Sequence, residues 1–228
     1  MRPRLALSRV LAMAWKDLTT ERRGKAGFNA VVFMGAITLL MFGFALGPDA
    51  AALRTAAAGL LWLTVLLSGA LAFNRSYESE AEAGAMDALL LYPGSRWPIF
   101  AGKLLANLIF VLLVEAITVP IAAVLYDIPV LTPLPGLAGV LFLGTLGFVT
   151  LGTYYAAMAS RVRAREVLLP LLLFPMLIPL LVAAVGATKA VLTSDPMGYG
   201  AAWIKMLAAF DIVFLAATFL TFEYVIEE

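Results

Sequence analysis

Apolar residues gather in long uninterrupted runs along this chain. Six runs reach the length of a bilayer crossing: residues 28–46, 51–73, 103–126, 136–159, 167–188 and 202–222. A hydrocarbon core of about 30 Å takes roughly 20 apolar residues in a helix that rises 1.5 Å per residue. A membrane-spanning β-strand would need only about 10 residues with strict alternation, and the runs show neither feature. The connections are short and rich in turn formers: GPD at 47–49, YPGSRWP at 92–98, DIPVLTPLP at 127–135 and TSDPMGYG at 193–200. The pattern predicts an all-α fold, an integral membrane bundle of six transmembrane helices forming one domain over residues 1–228.

Two polar segments have patterns of their own. In residues 4–24, Leu7, Leu11, Ala14 and Leu18 recur at helical spacing with Val10 and Trp15 beside them, while Arg9, Lys16 and Arg23 fall opposite. That pattern predicts an amphipathic helix in the membrane interface with its apolar face down; a plain basic anchor is the alternative. The stretch SYESEAEAGAMDALLLYP at 76–93 is alanine-rich, with Glu78, Glu80, Glu82 and Asp87 in its first two-thirds. It favours a helix. Its acids suit a basic protein partner better than an anionic lipid surface, the alternative being a solvated helical loop.

Composition agrees with the pattern. Of 228 residues 63% are hydrophobic and 14% charged, with mean hydropathy +0.97, against about 25% charged in soluble domains. No polar stretch is long enough to bury a separate core. The first run exceeds a secretory h-region and follows a charged segment, so it is read as a retained span. Thirteen of the sixteen basic residues fall in residues 1–27, 74–103 and 160–166, and only Arg54, Lys189 and Lys205 lie on the other side. By the positive-inside rule both termini of this multi-pass chain are cytoplasmic.

The chain has neither Cys nor His. This excludes disulfides, thiolate chemistry, His-ligated haem or zinc and a His general base. No P-loop is present, since Gly102-Lys103 is followed by Leu104 and lacks the earlier glycine. No catalytic residue and no metal site is expected, and no nucleic-acid partner is anticipated. ATP, if the protein uses its energy, is bound only by a separate partner subunit. What stands out is polarity inside the spans. Glu115 sits about 18 Å into the third span and Asp211 near the middle of the sixth, where an acid costs roughly 2.5–3.5 kcal/mol. Each must face protein or a cavity. With no Lys or Arg at that depth, partners such as Asn107, Thr118 or a carbonyl freed near Pro120 are expected. A contact to substrate or a conformational switch competes with a plain interhelical hydrogen bond. Gly144, Gly147 and Gly152, with Thr145 and Thr153, read as a packing face of the fourth span, a substrate path being the alternative. Pro170, Pro175 and Pro179 are expected to break the hydrogen-bond ladder of the fifth and bend it.

Several stretches carry a resemblance: FALGPD (44–49), GLLWLTVLLS (59–68), LAFNRSYESEAEAGAMDALLLYP (71–93), GKLLANL (102–108), LGTLGFVTLGT (143–153), REVLLPLLLFPMLIP (165–179) and the ending FEYVIEE (222–228). Over nearly its whole length the chain resembles the cytochrome c maturation protein B family, the permease half of an ABC exporter linked to haem. The resemblance implies an inner-membrane permease present as two copies in membrane lipid, paired with a cytoplasmic ABC ATPase subunit. It also implies other cytochrome c maturation membrane proteins and a haem chaperone as partners. It makes residues 1–27 an elbow helix and residues 74–102 a coupling loop, with Glu78, Glu80, Glu82 and Asp87 as ATPase contacts. Haem would be cargo and no cofactor would be covalently held. Without His or Cys, a direct haem contact would fall to Met, Tyr or aromatic surfaces such as Trp62, Trp203, Tyr154 or Tyr155, residues that interfacial placement also explains. The same architecture with lipid, polysaccharide or drug as cargo is one alternative, and a non-transporting scaffold of the maturation complex another.

Overall fold

Each apolar run folds as a helix because a backbone in hydrocarbon must satisfy its own N–H and C=O groups. The computed structural model describes residues 3–82, 97–159, 165–195 and 197–227. Seven helices appear among them: α1 (Pro3–Arg23), α2 (Lys25–Leu46), α3 (Ala50–Glu82), α4 (Trp97–Leu125), α5 (Leu134–Ala159), α6 (Arg165–Leu192) and α7 (Gly200–Glu227). The last six each contain a stretch long and apolar enough to cross a membrane, and no strand occurs among the described residues. The chain is a multi-pass, all-α membrane bundle.

Several helix boundaries differ from expectation. Helix α3 does not stop at Phe73 but continues to Glu82, because alanine and glutamate favour helix where the apolar pattern ends. That adds nine residues, about 13 Å, beyond the apolar part. Helix α4 begins at Trp97, six residues before the expected 103, with Pro98 in the first turn, where a missing N–H costs nothing. The expected loop of 74–102 is thus helical at both ends, and Lys103 is not a loop charge but a buried helical residue, 1% exposed. Helix α6 runs on to Leu192 rather than 188, and it is assigned as one unbroken helix through Pro170, Pro175 and Pro179. The prolines delete ladder bonds without ending the helix. Pro175 and Pro179 are four residues apart on an exposed face, while Leu173, Leu177, Leu180, Ala183, Ala184 and Ala187 are buried opposite.

Helix α5 is the hub, packed against α3, α4, α6 and α7. Its glycines act as sockets. Gly144 receives the ring of Trp62, Gly152 receives Phe73, and on α3 Gly69 receives Phe148 in return. Small residues do serve packing, as their spacing suggested, but by admitting large rings more than by backbone-to-backbone approach. Trp62 is fully buried and its Nε1 donates to Thr188 Oγ1 on α6 at 2.9 Å. Other hydroxyls, including Thr38, Thr64, Ser68, Thr118 and Thr150, donate to a carbonyl four residues earlier in their own helix, which removes an unpaired donor from the hydrocarbon.

Helix α1 departs from the expected pose. It docks on the start of α4 through Val10, Met13 and Ala14, and Gly102 provides the room, since an added Cβ there would lie 2.5 Å from that of Met13. Leu7, Leu11 and Trp15, at 61%, 53% and 72% exposure, point away from the protein. The helix therefore has two apolar faces: the exposed stripe is available to lipid, while Ala14, expected on that stripe, belongs to the protein-facing side.

Candidate functional site

The polar groups within the bundle lie along two seams of α5. Helices α4 and α5 run antiparallel, and two side-chain clamps join them. Asn107 Nδ2 donates to Thr153 Oγ1 at 2.9 Å, and the hydroxyl of Thr145 donates to Glu115 Oε1. Asn107 and Glu115 are eight residues apart, as are Thr145 and Thr153, so both clamps belong to a single register and lie about 12 Å apart along the helix axes. The Glu115 partner is thus Thr145. Neither Asn107 nor Thr118 takes that part, because Asn107 is engaged by Thr153 and Thr118 donates to Val114 O at 3.0 Å. One carboxylate oxygen of Glu115, Oε2, has no hydrogen-bond partner. The residue is 3% exposed.

Asp211 lies on the other side of the hub. Thr145 and Gly147 are two positions apart on α5, about 200° around the helix and about 3 Å in height. Gly147 faces Asp211: a Cβ built there would meet Asp211 Oδ1 at 2.5 Å, Leu180 Cδ1 at 2.8 Å and Phe210 Cδ1 at 3.2 Å. Asp211 is 3% exposed and neither carboxylate oxygen has a partner. From the helix ends at Leu125 and Gly200, Glu115 and Asp211 are each about 15 Å deep. Two acids thus flank one helix at one depth. The first is half satisfied and the second not at all.

The remaining expected residues sort as follows. At the end of the bundle where α4 starts, Lys103 Nζ is 3.4 Å from Asp17 Oδ2, while Asp17 Oδ1 is 3.3 Å from the more exposed Lys16. This ion pair ties α1 to α4 and was hidden in the sequence by the assignment of Lys103 to a loop. Lys103 is four residues before Asn107, so a helix that includes both places them on one face, but the spacing does not point to Asp17. Glu78, Glu80 and Glu82 occupy the last two turns of α3, but their side chains, like all of Asp87, lie outside the described residues, as does the side chain of Pro170. The aromatic residues considered for haem are engaged. Trp62 is core, Trp203 packs on Gly186, and Tyr154 OH hydrogen-bonds Thr221 Oγ1 at 2.9 Å. Trp203 and Tyr154 are only half-buried. Among the described residues no group of three or more acidic ligands is arranged to hold a metal ion.

At the opposite end of the bundle, Arg54 Nε donates to Asp127 O at 2.9 Å and its guanidinium pairs with the Asp127 carboxylate. Tyr126 OH donates to Leu39 O at 2.8 Å, and Asp195 caps α7 by accepting from Tyr199 N and Gly200 N at 2.9 Å each. These contacts fix the short connections that hold α2 to α4 and α6 to α7.

The fold and its seams define a six-span, all-α membrane protein with buried, partly unpaired carboxyls on two sides of one hub helix. The family model described as "CcmB protein" matches residues 8–226, and the chain belongs to that family. It is similar to heme exporter protein B of Pseudomonas aeruginosa, 32% identical over 79% of this chain and 80% of that one. It also resembles heme exporter protein B of Paracoccus denitrificans, 30% identical over 82% and 85%. The same-named protein of Bradyrhizobium diazoefficiens is 30% identical over 90% of both chains.

Proposed function

We propose that this chain is the membrane permease subunit of an ABC-type exporter that serves haem export, or release of a loaded haem chaperone, in cytochrome c maturation. The observation that carries the reading is the match to the CcmB family across residues 8–226, together with relatives named heme exporter protein B that align over most of both chains. The asymmetry of Lys and Arg supports an orientation with both termini in the cytoplasm of a cell with an inner membrane. In that orientation α1 is the elbow helix. The nine-residue extension of α3 projects into the cytoplasm, where a separate ATPase subunit docks. The absence of any P-loop in the chain is consistent with hydrolysis in that partner. Two copies of the chain, other cytochrome c maturation membrane proteins and the haem chaperone complete the assembly, with haem as cargo and ATP bound only by the partner.

The test is a mild-detergent pull-down of the tagged full-length chain from its native membrane, with partners identified by mass spectrometry and ATP hydrolysis assayed. An ATPase subunit together with cytochrome maturation proteins is the expected result; an ATPase with unrelated partners, or no ATPase at all, overturns the reading. Glu78, Glu80 and Glu82 changed together to Lys should release the ATPase and leave the chain inserted. Undiminished co-purification would refute the docking assignment alone.

A further inference from the structure

Glu115 and Asp211 lie at one depth on two sides of α5, yet their seams are fastened differently. Two side-chain bonds cross the α4–α5 seam inside the membrane, Asn107 to Thr153 and Thr145 to Glu115. On α5 and α7 two buried hydroxyls stay within their own helices: Thr150 donates to Leu146 O and Thr218 to Phe214 O, each at 2.7 Å. The bond between Tyr154 OH and Thr221 Oγ1 does cross the α5–α7 seam, but at an exposed position about 10 Å from the level of Gly147. Asp211, 3% exposed, has no partner on either oxygen.

We propose that the α5–α7 seam opens, from the end of the bundle where both helices begin, into a hydrated site whose polar anchor is Asp211. The two helices run parallel, since one span separates them in the chain, and Gly147 and Asp211 are level. Eight residues before Gly147, about 12 Å nearer the start of α5, Gly139 faces open space, with nothing within 4 Å of a Cβ built there. Leu143, between the two glycines, is half-buried. The cover over Asp211 is thin: Phe210 reaches within 3.2 Å of the Cβ built on Gly147 and stacks on Phe214 at 4.2 Å, both rings half-buried. The closed slot is too tight for an organic ligand or a hydrated ion, because Asp211 Oδ1 and Leu180 Cδ1 stand within 2.8 Å of the same built atom. Water supplies the donors that two orphan carboxylate oxygens lack. An unpaired carboxylate in a dry seam is a standing cost, and hydration removes it, so the open arrangement lies closer in free energy than an apolar residue would allow. Opening the α4–α5 seam would bring no such relief, since it breaks both clamps.

The chain has no cysteine, so a single introduced thiol reports without background. A thiol attacks a methanethiosulfonate as the thiolate, which forms in water and not in lipid. The experiment keeps the full chain in vesicles of its native membrane and adds a charged, impermeant methanethiosulfonate to one side. Leu131→Cys, 83% exposed in the turn before α5, marks the side on which α5 and α7 begin. From that side Leu207→Cys, fully buried one turn nearer the start of α7 than Asp211, should be labelled. Val119→Cys, buried and placed likewise relative to Glu115, should not react, and neither should Ile212→Cys, which faces lipid. Adding Asp211→Ala to Leu207→Cys should slow its labelling about five-fold or more, because the closed seam then holds no unpaired carboxyl. Leu143→Cys takes the place of Leu207→Cys if that variant does not insert. Labelling of Leu207→Cys no faster than that of Val119→Cys or Ile212→Cys overturns the proposal, as does labelling that Asp211→Ala leaves unchanged. The reaction needs neither cargo nor an ATPase partner, so it fails independently of the pull-down.

Discussion

Gly144→Ala is the smallest perturbation that addresses the hub directly. The added methyl carbon would lie 2.6 and 2.9 Å from Cζ2 and Cζ3 of Trp62 and closer still to Cη2. The ring cannot swing aside freely, because it is 1% exposed and its Nε1 is held by Thr188. Overpacking of this kind costs about 1–3 kcal/mol, and loss of the indole hydrogen bond adds about 1 kcal/mol. Against this, alanine gains about 0.5–1 kcal/mol of helix propensity over glycine. The net expectation is a destabilisation of about 1–3.5 kcal/mol, a fall in melting temperature on the order of 2–14 °C for a chain of this size. Gly139→Ala is the internal control: it lies on the same helix with nothing within 4 Å of the added atom, so only the propensity gain applies. Thermal unfolding of the detergent-solubilised protein, followed by circular dichroism, reads both. If the Gly144 and Gly139 variants melt together, the socket account of α5 is wrong.

Other expectations follow from the seams. Glu115→Gln keeps an acceptor for the Thr145 hydroxyl and should cost less thermal stability than Glu115→Leu, which orphans that donor at about 1–3 kcal/mol; equal losses would refute the clamp. Lys103→Met leaves Asp17 partly buried beside only the more exposed Lys16, and removal of one partner of a buried pair costs up to about 3–5 kcal/mol. It should therefore loosen α1 to limited proteolysis, and Lys103→Met combined with Asp17→Leu should recover much of the loss. A single variant as harmful as, or milder than, the double one would show that the pair does not hold α1.

How much of this was legible in the sequence depended on which physical signal each part left. Span number and helical type came directly from run length, because hydrocarbon thickness sets one and backbone satisfaction the other. Helix ends were less legible: Glu82 and Trp97 lie beyond the apolar pattern, where propensity and capping decide and hydropathy is silent. Of the site, Glu115, Asp211 and Asn107 were found because a polar residue in a span is conspicuous. Their partners were not, since Thr145 and Thr153 look like small packing residues until the α4–α5 register pairs them. Lys103 was missed for a related reason. A cation near a span end counts as a topology marker, and nothing in the sequence says that Asp17, 86 residues earlier, folds back to meet it.

Asp211 sets the two sides of α5 apart. The α4–α5 seam is held by two hydrogen-bonded clamps in one register. The α5–α7 seam has at mid-depth a carboxyl with both oxygens unpaired against Gly147. A buried unsatisfied polar group costs about 1–3 kcal/mol, and more when charged, so packing alone would favour an apolar residue here. An ionisable group inside a membrane span is as a rule a functional-site hypothesis, and the expectation for Asp211 follows from that rule. Asp211→Ala should accordingly raise thermal stability, the gain reduced by a small cavity costing about 1 kcal/mol, and should at the same time lower the yield of mature cytochrome c in cells that depend on this chain. Stability and activity must move in opposite directions for the argument to stand. A variant that loses both would mean that Asp211 is a structural residue with a partner in the folded bundle. One that gains stability at no cost in activity would mean that the unpaired carboxyl has no work to do.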